Sequence, residues 1–256
     1  MNIATFNANS IRSRLATILA WLDTQRPDVL CVQETKAQDA DFPSAPLRAA
    51  GYHAVFRGMK AYNGVAILSR HEPDEAWAGF DDGGPADAFR LLGARFGGLN
   101  IVNTYVPQGR EITHEMFAYK LEWFARLRRL FDARWTTRED VLWCGDLNVA
   151  RTADDVHDAE QYLEHVCFHP AARAAFENAI AWGFTDVFRS FHTGPGHYSF
   201  FDYRTPNAVA RRIGWRLDYL LASPPLAARC RACEIDVAPR RQPGASDHTF
   251  VVADFA

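Results

Sequence analysis

The chain has no long apolar run. Nothing in its 256 residues approaches the length needed to cross a bilayer, and the opening Met1-Asn2-Ile3-Ala4-Thr5-Phe6 lacks the basic stretch and apolar core of an export signal. A cytoplasmic protein is expected. Five cysteines are too few, and odd in number, for a disulfide framework. Cys230-x-x-Cys233 is the one suggestive spacing, but no second pair completes a zinc site, so it reads as two small, partly buried side chains. Pro, Gly and Ser never gather into a linker, and no segment repeats at a solenoid period, which argues for one domain over 1–256. A strongly basic surface is also missing, because the net charge is −3. Nucleic acid is not thereby excluded, since a local patch suffices; Arg126, Arg128 and Arg129, then Arg211, Arg212 and Arg216, then Arg240 and Arg241 form such clusters.

What is present is a large apolar fraction, 48%, in alternating short patterns. Asn2–Phe6 reads as a strand. Ile11, Leu15, Ile18, Leu19 and Leu22 recur at helical spacing before the apolar run Val29–Val32. Further strands are predicted at His53–Phe56, Gly64–Ser69, Arg90–Phe96, Asn100–Val106 and Asp140–Cys144. Between the last two, Phe117, Leu121, Phe124 and Phe131 share one face of a helix from about Glu115 to Phe131. A second helix starts near Pro170 and stops at Gly183. Tyr198–Tyr203, Arg216–Ala222, Cys233–Val237 and Phe250–Phe255 are the remaining strand candidates. Many short strands with few helices favour packed sheets over a parallel barrel.

Polar groups close several of these strands. In Trp143-Cys144-Gly145-Asp146-Leu147-Asn148 an apolar strand runs out into Asp146 and Asn148, which alternation would point the same way, either to hold a water, a metal or a substrate oxygen, or as an ordinary Asx turn. Val29–Val32 is followed by Gln33-Glu34-Thr35-Lys36, making Glu34 a candidate ligand for a hard cation such as Mg²⁺. Ser246-Asp247-His248 precedes Phe250-Val251-Val252, and Asp218 is an acid inside an apolar stretch, where a buried carboxylate needs a partner such as histidine.

Taken in order, Asn7 and Asn9, Gln33-Glu34-Thr35-Lys36, Tyr62-Asn63-Gly64-Val65-Ala66, Asn103-Thr104-Tyr105-Val106-Pro107, Gly145-Asp146-Leu147-Asn148, Gly214-Trp215-Arg216-Leu217-Asp218-Tyr219 and Ser246-Asp247-His248 resemble the exonuclease III class of abasic-site endonucleases. The resemblance runs over nearly the whole chain. It implies a DNase I-like four-layer α/β sandwich, two packed mixed β-sheets flanked by helices. It also implies an Mg²⁺- or Mn²⁺-dependent hydrolase, expected to be a monomer, acting on double-stranded DNA with abasic sites or 3′ ends. By position, Glu34 matches the metal-binding glutamate, with Asn7, Asn9 and Asp247 on the metal and phosphate side. Asp146 matches the residue that activates the attacking water, and Asn148 one that holds a phosphate oxygen or that water. Tyr105 matches a donor to the phosphate or leaving group, and His248, oriented by Asp218, a group that stabilises negative charge. Phe200, Trp215 and Leu217 match the walls of a pocket for a base-free deoxyribose, while Arg216, Asn63, Gln108 and Lys120 are further candidates for substrate contact.

Two departures stand out. Asp154–Val166 does not follow the expected pattern of a DNA-approaching segment, and Phe201 replaces a frequent Trp. The wider superfamily also contains phosphatases of small phosphorylated metabolites and lipid headgroups, which is the rival enzymatic reading. A damaged-DNA-binding protein without catalysis is the rival of another class.

Overall fold

The computed structural model describes residues 1–256. Its first sheet contains β1 (Asn2–Asn7), β2 (Val29–Gln33), β3 (His53–Arg57), β4 (Val65–Ser69), β11 (Cys230–Asp236) and β12 (Phe250–Phe255), in the order β11-β12-β1-β2-β4-β3. The second contains β5 (Glu75–Ala78), β6 (Leu91–Phe96), β7 (Leu99–Tyr105), β8 (Asp140–Asp146), β9 (Thr185–Asp186) and β10 (Asp218–Ala222), in the order β5-β6-β7-β8-β10-β9. Each sheet has one parallel pair, β1 with β2 and β7 with β8; every other pairing is antiparallel. A parallel pair needs a crossover, and here the crossovers are helices: α1 (Leu15–Gln25) in the first sheet and α3 (Glu115–Arg134) in the second. The remaining helices are α2 (Ser44–Ala49), α4 (Pro170–Ile180) and the single turns α5 (Ala208–Arg211) and α6 (Pro224–Ala227).

Side-chain alternation sorts the core into three layers. Ile3, Val29, Cys31 and Ile67 of one sheet meet Ile101, Leu142, Cys144 and Leu220 of the other in the central layer. The opposite faces, with Phe6, Leu30, Val32 and Leu68 in one sheet and Val102, Trp143, Tyr219 and Leu221 in the other, are covered by α1 and α2 on one side and by α3 and α4 on the other. Phe117, Phe124 and Phe131 are buried on the sheet-facing side of α3, as their spacing predicts, with Leu121 partly buried beside them. Burial on both faces explains why β2, β4 and β10 read as unbroken apolar runs.

Two expectations need correction, and two strands were not anticipated. Tyr198–Tyr203 forms no regular strand: Phe200 makes isolated bridges to Trp215 on one side and His248 on the other, Tyr203 is in a turn and the rest is irregular, because the segment pairs only briefly with the residues just before β10 and β12. Ile11 is buried but precedes α1, which begins at Leu15. The edge strand β5 and the pairing residues of β9 carry too little apolar pattern to be read from sequence. All five cysteines are free, with Cys233 inside the central layer.

Candidate active site

The carboxyl ends of the two parallel pairs meet at one end of the sandwich. Asn7 ends β1 beside Gln33 of β2, and Tyr105 ends β7 beside Asp146 of β8. The antiparallel neighbours run the other way, so they begin there: Asp218 opens β10 opposite Asp146, and His248 lies just before β12. This topology gathers polar residues that are far apart in the chain. The backbone turns sharply as it leaves the strands, with left-handed φ at Asn9, Glu34, Lys36 and Asn148, a conformation that costs energy for non-glycine residues and clusters at functional sites. Gly145 is required for a different reason. Its φ is +131°, and a Cβ there would lie 1.9 Å from the Thr104 carbonyl oxygen.

Asn7 is fully buried and its amide bridges two acids, donating to Glu34 Oε1 at 2.9 Å and to Asp146 Oδ2 at 2.8 Å. Glu34 Oε2 contacts Lys36 Nζ at 2.8 Å, Lys36 also donates to Asn9 Oδ1, and Asn9 Nδ2 donates to Asp247 Oδ1 at 3.0 Å. Asp146, Asn7, Glu34, Lys36, Asn9 and Asp247 thus form one hydrogen-bonded arc. The Asn148 N–H donates to Asp146 Oδ1 at 3.0 Å, so Asp146-Leu147-Asn148 is an Asx-type turn and also presents its acid to the cavity.

His248 Nδ1 is 2.8 Å from Asp218 Oδ2, and its Nε2 is 3.7 Å from Asp146 Oδ2. Asp218 is held in turn at its backbone, where its N–H and that of Leu217 both donate to Ser199 Oγ at 3.1 Å; its Oδ1 has no protein partner. The ligand atoms of Asp146, Asp218 and His248 all lie within 4.8 Å of one another, a buried grouping able to hold a divalent metal ion. Burial alone would drive His248 neutral, but Asp218, Asp146 and Asp247 overcome it and raise its pKa well above the usual value. Burial pushes the Asp146 carboxyl up to about 7, against the opposing pull of His248. Glu34 stays below its ordinary value despite burial, because Lys36 and Asn7 bond its carboxylate. Tyr105 is pushed far above 10 by burial and by Glu34 and Asp146, so it remains a phenol.

These groups floor a cavity of about 380 Å³ whose lining includes Glu34, Tyr105, Gln108, Asp146, Asn148, Asp247 and His248. Phe200, Trp215 and Leu217 line it too, as their match to pocket positions implies. Three of the further candidates lie elsewhere. Lys120 is fully enclosed and spends its ammonium on the carbonyls of Gln108, Asn148 and Val166 at 3.1, 2.7 and 2.7 Å, a solution forced on a cation in the core. Arg216, although it sits between two pocket residues, alternates inward and is clamped by Asp155 and Asp186 at 2.7 Å each. Neither can reach a substrate. Asn63 is outside the cavity lining; its carbonyl accepts the Lys36 N–H at 2.9 Å, which shapes the turn after Glu34.

Sequence reasoning passed over Lys36, Ser199 and Ser246 as individual residues. Ser246 Oγ donates to the Asn7 carbonyl at 2.7 Å and accepts the His248 N–H at 3.2 Å, tying the two sides of the site together. Small hydroxyl side chains carry no sequence signal for such a role. Their position next to Asp247-His248, or opposite Leu217-Asp218, becomes informative only after folding.

Residues 4–248 match the family model of the endonuclease/exonuclease/phosphatase family. Exodeoxyribonuclease III of Haemophilus influenzae is 30% identical over 267 aligned residues that span the whole of both chains. The structure of an AP endonuclease from Archaeoglobus fulgidus superposes with a TM-score of 0.98 at 46% identity, covering 100% of this chain and 99% of that one. A 3′ phosphatase from Neisseria, bound to a product DNA hairpin, superposes at 0.95 with 34% identity over 100% of this chain and 99% of its own. With the two-sheet architecture and the site at the strand ends, these likenesses show that the chain belongs to the endonuclease/exonuclease/phosphatase family.

Proposed function

We propose that this protein is a metal-dependent DNA repair nuclease of the AP endonuclease/exonuclease III type, which hydrolyses the phosphodiester 5′ to an abasic site and leaves a 3′-hydroxyl. It also removes nucleotides or phosphate from 3′ ends. The observation that carries the reading is the joining of a hydrolytic floor to apolar walls in one cavity. Asp146, His248, Tyr105 and Glu34 lie at its base, and Phe200, Trp215 and Leu217 enclose it. Such walls accept a flipped sugar without its base and reject a full nucleotide.

Carboxylate oxygens are hard donors, and few of them beside a phosphate suit Mg²⁺ or Mn²⁺, which keep waters and substrate oxygens in their shell. The donor set here fits. The cavity also holds the Asp146–Asp218–His248 grouping, but the two ring nitrogens of His248 already face Asp218 and Asp146, so Glu34 with Asp247 would hold the ion. Asn7 and Asn9 act by positioning those carboxylates. A bound cation neutralises charge developing on the phosphate oxygens.

The chain's own residues do the rest. Asp146, fixed by Asn7 and Asn148, accepts a proton from the attacking water, whose oxygen bonds to phosphorus as the P–O3′ bond breaks. Asn148 lines the path of that water or of a phosphate oxygen. Protonated His248 donates to a non-bridging oxygen, and the Tyr105 phenol donates to the phosphate or the leaving 3′-oxygen. Double-stranded DNA is the partner and a monomer suffices, since every group named comes from one chain.

The test is a duplex with one abasic site beside an undamaged duplex with a recessed 3′ end, each with Mg²⁺ and with EDTA. Incision at the lesion is expected only with metal, and Asp146→Asn should lower it by at least about 10³-fold. Wild-type rates in Asp146→Asn would remove the assigned site; turnover of phosphorylated small molecules with no DNA cut would favour the rival enzyme.

A further inference from the structure

Of the arginine clusters in the sequence, the buried members are spent inside the protein. Arg126 forks onto Asp82, and Arg216 joins Arg189 in clamping Asp155, which anchors the segment whose His157, Tyr162 and His165 complete the lining of the catalytic cavity. Arg240 donates to the Phe201 carbonyl at 2.9 Å. Arg212 and Arg241 differ. Both are exposed, and neither guanidinium has a carboxylate or carbonyl partner. One follows α5 and the other ends the single turn Pro239–Arg241, yet they converge on one recess of about 320 Å³.

The recess shares no residue with the catalytic cavity. Phe200 lines the cavity, whereas Tyr198 and Phe201 pack with Ala208 in a small cluster of their own that floors the recess. Its apolar wall is Val209, Ile235 and Val237, all half-buried. His197 is the third basic group there, and no acid lines the recess. Burial lowers the His197 pKa, and the charges of His192, Arg189 and Arg212 lower it further, with Glu234 opposing. The two nearest acids are engaged elsewhere: Glu234 contacts His192 at 3.2 Å, and Asp236 accepts from the Trp21 indole at 2.9 Å. The field in the recess is therefore positive.

Unpaired guanidiniums that converge hold phosphate oxygens through forked, charge-assisted hydrogen bonds, and an apolar wall beside them suits a ligand with an uncharged ring attached. Two arginines and a histidine match the near-double charge of a phosphate monoester better than the single charge of a diester. We propose that this recess is a second, non-catalytic anion site that takes a nucleoside 5′-monophosphate, its phosphate between Arg212 and Arg241 and its ring system against Val209, Ile235 and Val237. A free mononucleotide and the 5′-phosphorylated end of a DNA strand present the same chemistry. The site would bind its ligand whether or not the catalytic cavity cuts at abasic sites.

The test follows the His197 ring by NMR in the full chain, with EDTA to stop hydrolysis; its resonance is the one lost in His197→Asn. Three probes are titrated: 2′-deoxyadenosine 5′-monophosphate, a single-stranded oligonucleotide with a 5′-phosphate, and the same strand with a 5′-hydroxyl. A phosphate beside the ring favours its charged form, so the bound monoester should move the His197 titration to higher pH. Arg212→Gln combined with Arg241→Gln should weaken binding by at least about ten-fold while the melting temperature stays unchanged, since both side chains are exposed. A response to the phosphorylated strand but not to the mononucleotide identifies a strand end as the ligand, and the reverse identifies a free nucleotide; either upholds the site. No movement of His197 with any probe, a shift as large with the 5′-hydroxyl strand as with the phosphorylated one, or full affinity in the double variant overturns it.

Discussion

Asp146 receives three N–H contacts, from Asn7 Nδ2, the Asn148 N–H and, at 3.4 Å, Asn148 Nδ2, yet burial still lifts its carboxyl to about 7. Its working form is the carboxylate, so the rate should rise with pH, about ten-fold per unit, and level off near pH 7. The acid form binds the proton that the base must accept, which sets the sign. A divalent cation nearby favours the carboxylate and should move this limb to lower pH as Mg²⁺ is raised; a limb independent of Asp146 and of Mg²⁺ in steady-state profiles would contradict the assignment. His248 adds no acid limb, because its raised pKa keeps it protonated through the same range. At this scale much of the site was legible in the sequence. Glu34, Asp146, Asp218 and His248 each stood at or near a predicted strand end, where a polar side chain in apolar surroundings asks for an explanation. Lys120 and Arg216 were misread because a basic residue near a motif looks the same whether it meets substrate or a buried carbonyl or acid.

At the scale of elements, the buried pairs of Asp155 decide whether the cavity has a complete wall. Asp155 also caps its own turn, accepting from the Thr152 N–H and hydroxyl through Oδ2. Burial raises its pKa, but Arg216 and Arg189 outweigh that and hold it below the usual carboxylate range. A depressed folded value means stability that is complete above the unfolded pKa near 4 and is lost as pH falls through the folded one, so this cluster contributes to acid unfolding. Asp155→Ala should leave Arg216 buried with only Asp186 and destabilise the fold by about 3–5 kcal/mol, read as a lowered denaturation midpoint. A change under about 1 kcal/mol would mean that the cluster opens to water. The sequence could not supply this wall. Its helical and strand periodicities ended at Asn148 and resumed at Pro170, and the order between them comes from Arg189, just after β9, and from Trp215 and Arg216, just before β10.

For the whole molecule, the two sheets must keep a fixed register, because each contributes half of the active site. A polar tie below the site does this. Gln33 Nε2 donates to Asn103 Oδ1 at 2.7 Å across the central layer, and Asn103 Nδ2 donates back to the carbonyls of Val32 and Ala66 at 3.1 and 2.9 Å. Asn103→Ala strands those groups in the core and should cost about 3 kcal/mol in denaturant melts. Because the tie aligns Asn7 and Glu34 with Tyr105 and Asp146, it should also lower kcat. Loss of stability with kcat intact would show that the surrounding apolar layers align the sheets alone.

The sequence by itself determined the apolar patterns that make ten of the twelve strands, the amphipathic spacing of α1, α3 and α4, and the ordered motifs that identify the family. Those are local properties, set by side-chain periodicity of two or 3.6 residues and by the chemistry at strand ends. Tertiary structure alone decided which cations were buried, that Tyr198–Tyr203 would make isolated bridges instead of a strand, and that Arg212 and Arg241 would share one recess. These outcomes depend on which surfaces meet across the sandwich, and a buried charge or an unpaired guanidinium is defined only by neighbours distant in the chain.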